Sequence, residues 1–338
     1  MWKNLTTRSK PLQPFELEAL TGRTALIAGA TSGAGLQLAK ILAAPCARLI
    51  ITARDPQRGQ QAVEDILKSL PNDTSKKPQI DVWPLEMESF QSIRDFTERL
   101  LLLPSLDIAV LNAGVWHLRF ARSVDSFETH LQVNYLASCA LSLSLLTVLG
   151  RGRSSPNSHP GRLLNVTSEG HSLEETPTGK TASEILDSFD NPDALSCYQR
   201  YRKSKLLSMI WTHELASSID SAALGVEIAS FTPGATQTQI LRDLGAGPIV
   251  RTVMGFFCQS AEEGAWTYVR ALNTEEYHGR YFFRESAYRP TDCVTAEKYK
   301  LFRQDLVQKT VAILRSHNSI PSEIYEKLGI SPDGGFPK

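Results

Sequence analysis

Tyr201 and Lys205 are the two residues whose types and spacing most directly suggest acid–base chemistry. They stand four positions apart in a helical run, so both side chains project from one helix face. A nearby ammonium stabilises tyrosinate and lowers the phenol pKa, which favours proton transfer to a carbonyl or from an alcohol. Tyr198 is less suitable, because the residue four positions later is Arg202. The pair therefore predicts a proton-transfer site, with ordinary surface partnership as the alternative.

A glycine-rich segment at residues 29–35 predicts a phosphate-binding turn. It follows an aliphatic run and precedes a helical run, which gives the order strand, turn and helix. Glycines let the backbone approach a pyrophosphate, and the free N–H groups at the helix start favour negative charge. The predicted contacts, including two hydroxyl donors, are Gly29, Thr31, Ser32, Gly33 and Gly35.

The end of the second predicted strand, Thr52-Ala53-Arg54, indicates which dinucleotide would bind. NAD-binding proteins usually place Asp or Glu there to accept hydrogen bonds from the ribose. A guanidinium instead forms charge-assisted hydrogen bonds with a 2′-phosphate and stacks on adenine. Arg54 therefore favours NADP(H), with an ion pair to neighbouring Asp55 as the alternative.

Alternating strand-like and helical segments are expected to position these residues, a pattern typical of βα units on a parallel sheet. The predicted strands are residues 25–28, 49–53, 80–84, 108–111, 163–167, 226–231 and 281–283. The predicted helices between them are 36–44, 58–70, 92–102, 127–149, 194–217 and 262–272. We expect an α/β, single-domain Rossmann fold whose doubly wound, seven-stranded parallel sheet carries helices on both faces.

Three segments are expected to be added to this core, which spans about residues 22–284 of a domain covering 1–338, and the first of them, residues 150–161, is expected to be a solvated loop. Residues 171–193 begin after the carboxyl end of a strand, where open α/β sheets bind ligands, so they either cover a substrate or form an exposed insertion. Residues 285–338 form a C-terminal helical extension with helix-like stretches at 296–315 and 321–328.

Several motifs in one order resemble the short-chain dehydrogenase/reductase family. The glycine segment looks like the family's glycine motif, and Tyr201 with Lys205 looks like its active-site pair. Further matching positions are Glu86 for an adenine-contacting Asp, Asn112-Ala113-Gly114 after the fourth strand, Asn134, Ser168, and Pro233-Gly234 through Thr238. Ala53-Arg54-Asp55 and residues 261–265 look like the retinol-dehydrogenase-like and WW-domain-oxidoreductase-like branch, features shared with fungal biosynthetic ketoreductases.

The resemblance implies a role for each matching residue. Ser168 would hydrogen-bond the substrate oxygen, while Tyr201 transfers the proton and the nicotinamide transfers hydride. Lys205 would bind the nicotinamide ribose and tune Tyr201, and Asn134 would hold a water linking Lys205 to solvent. The segment from Pro233 to Thr238 would meet the nicotinamide carboxamide. Taken singly, Asn134 also suits a helix-bending residue bonded to backbone, and Ser168 a turn-capping hydroxyl.

Composition excludes several classes of protein. The 338 residues are 42% hydrophobic, with 36 basic and 36 acidic side chains, so neither disorder nor a net field toward nucleic acid or an anionic membrane is expected. The five cysteines lack a CxxC pair and the histidines lack ligand-like spacing, so no metal site or disulfide framework is predicted. The N-terminus lacks a secretory h-region, and residues 136–149 are too short and serine-rich for a membrane span. We expect a cytoplasmic protein with a buried helix there, and the family resemblance implies a homodimer or homotetramer.

The expected substrate is a bulky hydrophobic ketone or alcohol, because residues 240–258 are strongly apolar and would form the substrate wall in this family. Core filling or an oligomer contact is the alternative for this segment. Trp116 either lines the site or packs beneath it. The favoured function is NADP(H)-dependent carbonyl reduction in a biosynthetic tailoring step. The alternatives are a catalytically silent NADP(H)-binding regulator or scaffold, and an enzyme repurposed for isomerisation or cyclisation.

Overall fold

One eight-stranded sheet runs through the computed structural model, which describes residues 9–71, 78–151, 159–174, 177–236 and 258–337. Its strands are β1 (Thr24–Ala28), β2 (Arg48–Ala53), β3 (Gln79–Pro84), β4 (Ile108–Leu111), β5 (Gly161–Val166), β6 (Val226–Thr232), β7 (Tyr281–Phe283) and β8 (Ser286–Tyr288). The order across the sheet is β3-β2-β1-β4-β5-β6-β7-β8, and the first seven strands are parallel. The chain reverses its direction across the sheet between β3 and β4, which is where such sheets bind ligands.

The prediction of seven parallel strands was incomplete, because β8 pairs antiparallel with β7. All seven predicted strands are present, but the two-residue turn at Arg284 and Glu285 adds an eighth. Arg284 adopts φ 57°, a left-handed conformation that Asn or Gly usually provides in such hairpins. The sequence therefore contains no residue typical of a hairpin turn at this point. A strand of three residues is also too short to show a hydrophobic periodicity.

Neighbouring residues of the central strands pack into two different apolar clusters. In β1, Leu26 belongs to one cluster, whereas Ala25 and Ile27 belong to the other. Ile50 and its neighbour Ile51 in β2 divide in the same way. Both sheet faces are thus buried, which explains why these strands read as continuous aliphatic runs rather than as alternating patterns.

Helices cover both faces of the sheet, as predicted. They are α1 (Phe15–Glu18), α2 (Gly33–Ala43), α3 (Pro56–Lys68), α4 (Phe90–Leu101), α5 (Thr129–Leu131), α6 (Ala137–Leu146), α7 (Ala182–Asp187), α8 (Cys197–Ser218), α9 (Ser221–Leu224), α10 (Ala261–Asn273), α11 (Asp292–Thr295), α12 (Lys300–Ser316) and α13 (Ser322–Lys327). A π-helical turn, Gln132–Leu136, joins α5 to α6, and 3₁₀ turns span Glu169–Leu173 and Glu297–Tyr299.

Local side chains fix where the helices that border the site begin. Asp55 caps α3 by accepting a hydrogen bond from Gln57 N, with Pro56 at the first helical position. Ser196 and Gln199 form a capping box at the start of α8, the helix that carries Tyr201 and Lys205. The boundaries of these helices thus follow from residues the sequence places next to the site.

The predicted insertion at 171–193 contains α7, and the C-terminal extension packs against it. Asp305 of α12 accepts a hydrogen bond from Ala182 N at the start of α7, at 3.1 Å. The same helix reaches the core, where Tyr135 and Thr310 share a buried hydrogen bond of 2.6 Å. Every residue of α6 is buried, as predicted for the apolar run at 136–149. Among the helices that the structure describes, none is long and apolar enough to cross a bilayer.

Candidate active site

The predicted site residues converge because they follow adjacent strands. The loops after β1, β4, β5 and β6 leave the same edge of the sheet, since these strands are parallel neighbours. Together with α8 they enclose a cavity of about 590 Å³. Such a volume is typical of a small-molecule or cofactor site.

Most of the predicted residues line this cavity. They are Gly29, Thr31, Ser32, Gly33, Arg54, Glu86, Asn112, Ala113, Gly114, Ser168, Tyr201, Lys205, Pro233 and Gly234. Gly35 and Asn134 lie behind the lining rather than in it. Thr238 and the predicted apolar wall up to residue 257 lie outside the described residues, while Cys258 at its end borders the cavity.

The glycine turn is held in place by close backbone contacts. A Cβ at Gly35 would lie 2.2 Å from Gly29 O, so only glycine fits where α2 meets the turn. Gly29 itself has φ 82°. Asn112 Nδ2 donates to Gly29 O at 2.7 Å, and Asn112 Oδ1 accepts from the Tyr268 hydroxyl at 2.7 Å. Asn112, predicted as a cofactor contact, therefore also braces the turn.

Two guanidinium groups stand where the second strand reaches the cavity. Arg54 is exposed and borders the cavity, as predicted. Asp55 caps α3 and approaches Arg58 Nε at 3.9 Å, so the alternative of an Arg54–Asp55 ion pair is not what the structure shows. Arg58 also borders the cavity, although it was not among the predicted cofactor contacts. It lies in the first turn of α3, four positions after Arg54, and its closeness to Arg54 in the sequence is the signal that could have indicated it.

Glu86 borders the cavity from the segment after β3. Its Oε1 accepts a hydrogen bond from Glu88 N at 3.2 Å, while Ser92 Oγ accepts from Glu86 N at 2.9 Å. The Glu86 carboxylate thus stabilises a local turn through this hydrogen bond to the backbone. The shorter side chain of Asp also forms such a hydrogen bond in turns.

Ser168 is the N-cap of the 3₁₀ turn Glu169–Leu173 and lies two residues after the end of β5. Its hydroxyl accepts from Gly170 N at 3.2 Å, so the turn-capping alternative holds, and the same hydroxyl also interacts with Tyr201. His171 Nδ1 contacts Ser168 O at 2.6 Å, which fixes the backbone at this position. Burial lowers the pKa of His171, so the neutral imidazole donates this hydrogen bond.

The pKa of Tyr201 is raised, opposite to the lowering expected from its neighbour Lys205. Burial is the main cause, the Ser168 hydroxyl opposes it, and the negative charge of Glu169 adds to it. The ammonium of Lys205 donates instead to Val166 O at 3.0 Å. Burial lowers the pKa of Lys205 to about 8, and Lys205 is not among the groups that shift the pKa of Tyr201.

Asn134 lies in the π-helical turn and pairs with the loop after β4. Its Oδ1 accepts from Val115 N at 2.8 Å, and its Nδ2 donates to Val115 O and Ser204 Oγ, each at 3.0 Å. A Cβ at Gly114 would lie 3.1 Å from both Asn134 Oδ1 and Lys205 Nζ. Asn134 therefore holds the loop after β4 through hydrogen bonds to the backbone of Val115. This agrees with the alternative stated for Asn134, a polar residue bonded to backbone.

A buried network holds the loop that carries Trp116. Glu128, His130 and Arg200 are almost fully buried. His130 Nδ1 lies 2.6 Å from Glu128 Oε1, and His130 Nε2 accepts from His117 N at 3.0 Å. Arg200 Nε lies 3.5 Å from Glu128 Oε1, which links the network to the residue preceding Tyr201. These buried contacts thus join the loop that carries Trp116 to helix α8.

Comparisons with known proteins agree with this geometry. A family model described as short chain dehydrogenase matches residues 23–177. The chain is 37% identical to the fungal short chain dehydrogenase sol3 from Alternaria solani over 233 residues, covering 69% of this chain and 78% of that protein. It is 33% identical to the fungal short chain dehydrogenase/reductase mfmJ from Annulohypoxylon moriforme over 282 residues, covering 80% and 78%.

The fold also matches solved structures. A short chain dehydrogenase from Burkholderia cenocepacia J2315, solved in complex with NADP, superposes with a TM-score of 0.57 at 22% identity. The match covers 78% of this chain and 97% of that one. The shared architecture is the Rossmann-type sheet with its helices.

Proposed function

The chain belongs to the short-chain dehydrogenase/reductase family, and on that premise we propose that it is an NADP(H)-dependent oxidoreductase that interconverts a ketone or aldehyde with the corresponding alcohol. The observation that carries this proposal is the cavity shared by Ser168, Tyr201 and Lys205, in which the serine hydroxyl interacts with the phenol. A hydroxyl and a phenol together bind and protonate a carbonyl oxygen.

The proposed roles follow the chemistry of each side chain. Ser168 and Tyr201 hold the substrate oxygen, and Tyr201 gives it a proton during reduction or takes one during oxidation. Lys205, whose pKa burial lowers to about 8, binds ribose hydroxyls in its ammonium form. A water relay at Asn134 stays a prediction, because the side-chain amide is engaged with Val115 and Ser204.

The residues at the glycine turn suit a phosphorylated dinucleotide. Gly29 and Gly35 allow close backbone approach, and the start of α2 offers free N–H groups. Arg54 and Arg58 both border the cavity and suit a 2′-phosphate. NADP bound to the Burkholderia cenocepacia relative supports the same choice. When bound here, NADPH would supply the hydride for the carbonyl carbon.

Aromatic and aliphatic side chains favour a bulky hydrophobic substrate. Trp116, Tyr198 and Leu173 border the cavity beside Tyr201. The fungal relatives favour a biosynthetic tailoring step for this reductase. Cytoplasmic location, a homodimer or homotetramer and a covering role for 171–193 stay predictions.

The test measures loss of NADPH absorbance with a panel of bulky ketones. We expect turnover in the wild type and an activity loss of about 10²–10⁴-fold in Tyr201→Phe with NADPH binding retained. Tyr198→Phe is the matched control and should remain active. NADPH binding without turnover of any carbonyl would instead support the regulator, and a converted product without net cofactor use would support isomerisation or cyclisation.

A further inference from the structure

Glu169 is a carboxylate that borders the cavity next to the residues proposed for proton transfer. It follows Ser168 directly and is the first residue of the 3₁₀ turn. Its side chain is partly buried and borders the same cavity as Tyr201, Leu173 and Cys258. The proposed reduction assigns no role to it.

Several other buried or partly buried glutamates have a partner for their carboxylate. Glu128 accepts two backbone N–H groups and contacts His130, and Glu174 lies 2.8 Å from Lys203 Nζ. Glu214 pairs with Arg303 at 2.5 Å, and Glu227 with Arg162 at 3.0 Å. Within the ranges that the structure describes, the Glu169 carboxylate has no comparable hydrogen bond or ion pair. A partly buried carboxylate left in this way has unused acceptor capacity.

The titratable groups around Glu169 do not use the acceptor capacity of its carboxylate. Its negative charge raises the pKa of Tyr201 on α8, of Cys258 before α10 and of Tyr281 on β7. Arg284 in the β7–β8 turn acts on it from a distance, yet burial still raises the pKa of Glu169 overall. Arg284 also interacts with Glu285 and Glu263, so its charge is shared. Glu169 therefore borders the cavity with Arg284 as the one cation that acts on it, and among the described residues it forms no hydrogen bond or close ion pair.

We propose that Glu169 is a specificity-determining residue that accepts a hydrogen bond from a hydroxyl beside the reacting carbonyl of the substrate. The proposal rests on the proposed carbonyl reduction and narrows its substrate class to hydroxyketones. The hydroxyl assigned to Glu169 is the one on the carbon next to the carbonyl, because Glu169 directly follows Ser168 and borders the same cavity. A substrate lacking that hydroxyl leaves the carboxylate partly desolvated and unpaired, and enzymes discriminate strongly against such analogues.

The test compares two bulky ketones that differ by one hydroxyl, benzoin and deoxybenzoin, in the full-length protein with NADPH. The wild type should prefer benzoin in kcat/KM. Glu169→Met, which keeps the length of the side chain and removes the acceptor, should lower that preference about 10- to 100-fold, mainly by lowering kcat/KM for benzoin. Leu173→Ala is the matched control from the same turn, and it should change both ketones by a similar factor.

Each outcome decides the proposal. An unchanged preference in an active Glu169→Met protein, or a wild type that prefers deoxybenzoin, overturns the role of Glu169 and leaves the reductase intact. If other ketones of the panel react faster, the pair with and without a neighbouring hydroxyl is built on the fastest one. Should Glu169→Met fail to bind NADPH, Glu169→Leu, which also lacks a hydrogen-bond acceptor, gives the same comparison, and an unchanged preference there also overturns the proposal. No reduction of any ketone by the wild type refutes the proposed function itself.

Discussion

The indole of Trp116 lies parallel to the phenol ring of Tyr201, with 4.7 Å between ring centroids and 13° between ring planes. Tyr198 meets the same indole edge-on at 5.3 Å. The loop carrying Trp116 is fixed by the bond from His117 N to His130 Nε2 and by the contacts of Asn134 with Val115. The stack therefore connects the buried network to the proposed proton donor, and it restrains the orientation of the phenol.

Removing the indole should slow turnover more than it weakens binding of NADPH. An offset aromatic pair contributes about 0.5–1.5 kcal/mol beyond area burial. Trp116→Ala should therefore lower kcat about 2- to 10-fold, because the phenol loses its restraint. Trp116→Phe keeps a ring over Tyr201 and should lie close to the wild type. Steady-state kinetics and an NADPH titration measure both effects, and an increase in kcat for Trp116→Ala would contradict the restraint.

Much of the fold was predictable because buried parallel strands have continuous aliphatic sequences. The predicted strands 108–111 and 281–283 match β4 and β7 in both bounds, and the others differ by at most two residues at either end. The missing strand β8 is short and follows a turn whose left-handed residue is Arg284. Such a turn is set by tertiary packing, which no local pattern in the sequence records.

The placement of the site residues was predictable where a motif follows a strand end, as for Ser168 and Gly29. The contacts of Trp116 and Glu169 were not, since they depend on loops that meet only after folding. The raised pKa of Tyr201 was missed for a related reason. Burial is the largest influence on the pKa of Tyr201, and the extent of burial cannot be read from a four-residue spacing.

Arg54 and Arg58 should together determine the preference for NADPH over NADH. Loss of a hydrogen bond to a charged group costs about 1.5–3 kcal/mol, so Arg54→Ala should raise the Kd of NADPH about 10- to 100-fold. Adding Arg58→Ala should raise it further, while the Kd of NADH changes little in either protein. Fluorescence titration measures these constants. Arg280→Ala, a partly exposed arginine paired with Glu276 away from the cavity, is the control, and equal losses for both cofactors would disprove the phosphate assignment.

Lys205 should reduce the stability of the protein at neutral pH, because its charged form is buried. Its pKa falls from 10.5 in the unfolded chain to about 8 in the folded one, a difference worth about 3 kcal/mol at most. Below pH 8 both states hold the proton and the cost is fully present. As pH rises from 8 to 10.5 the folded state loses its proton first, so the cost disappears.

Lys205→Met should therefore increase the free energy of unfolding at pH 7 by about 1–3 kcal/mol, part of the gain being offset by the unpaired Val166 carbonyl. The gain should shrink toward pH 10.5, which urea unfolding at pH 7 and pH 10 would show. Lys203→Met is the matched control on the same helix. It breaks the buried ion pair with Glu174 and should lower stability by about 3–5 kcal/mol at pH 7. Loss of stability in Lys205→Met at pH 7 would show that the ammonium stabilises the fold and that its burial carries no net cost.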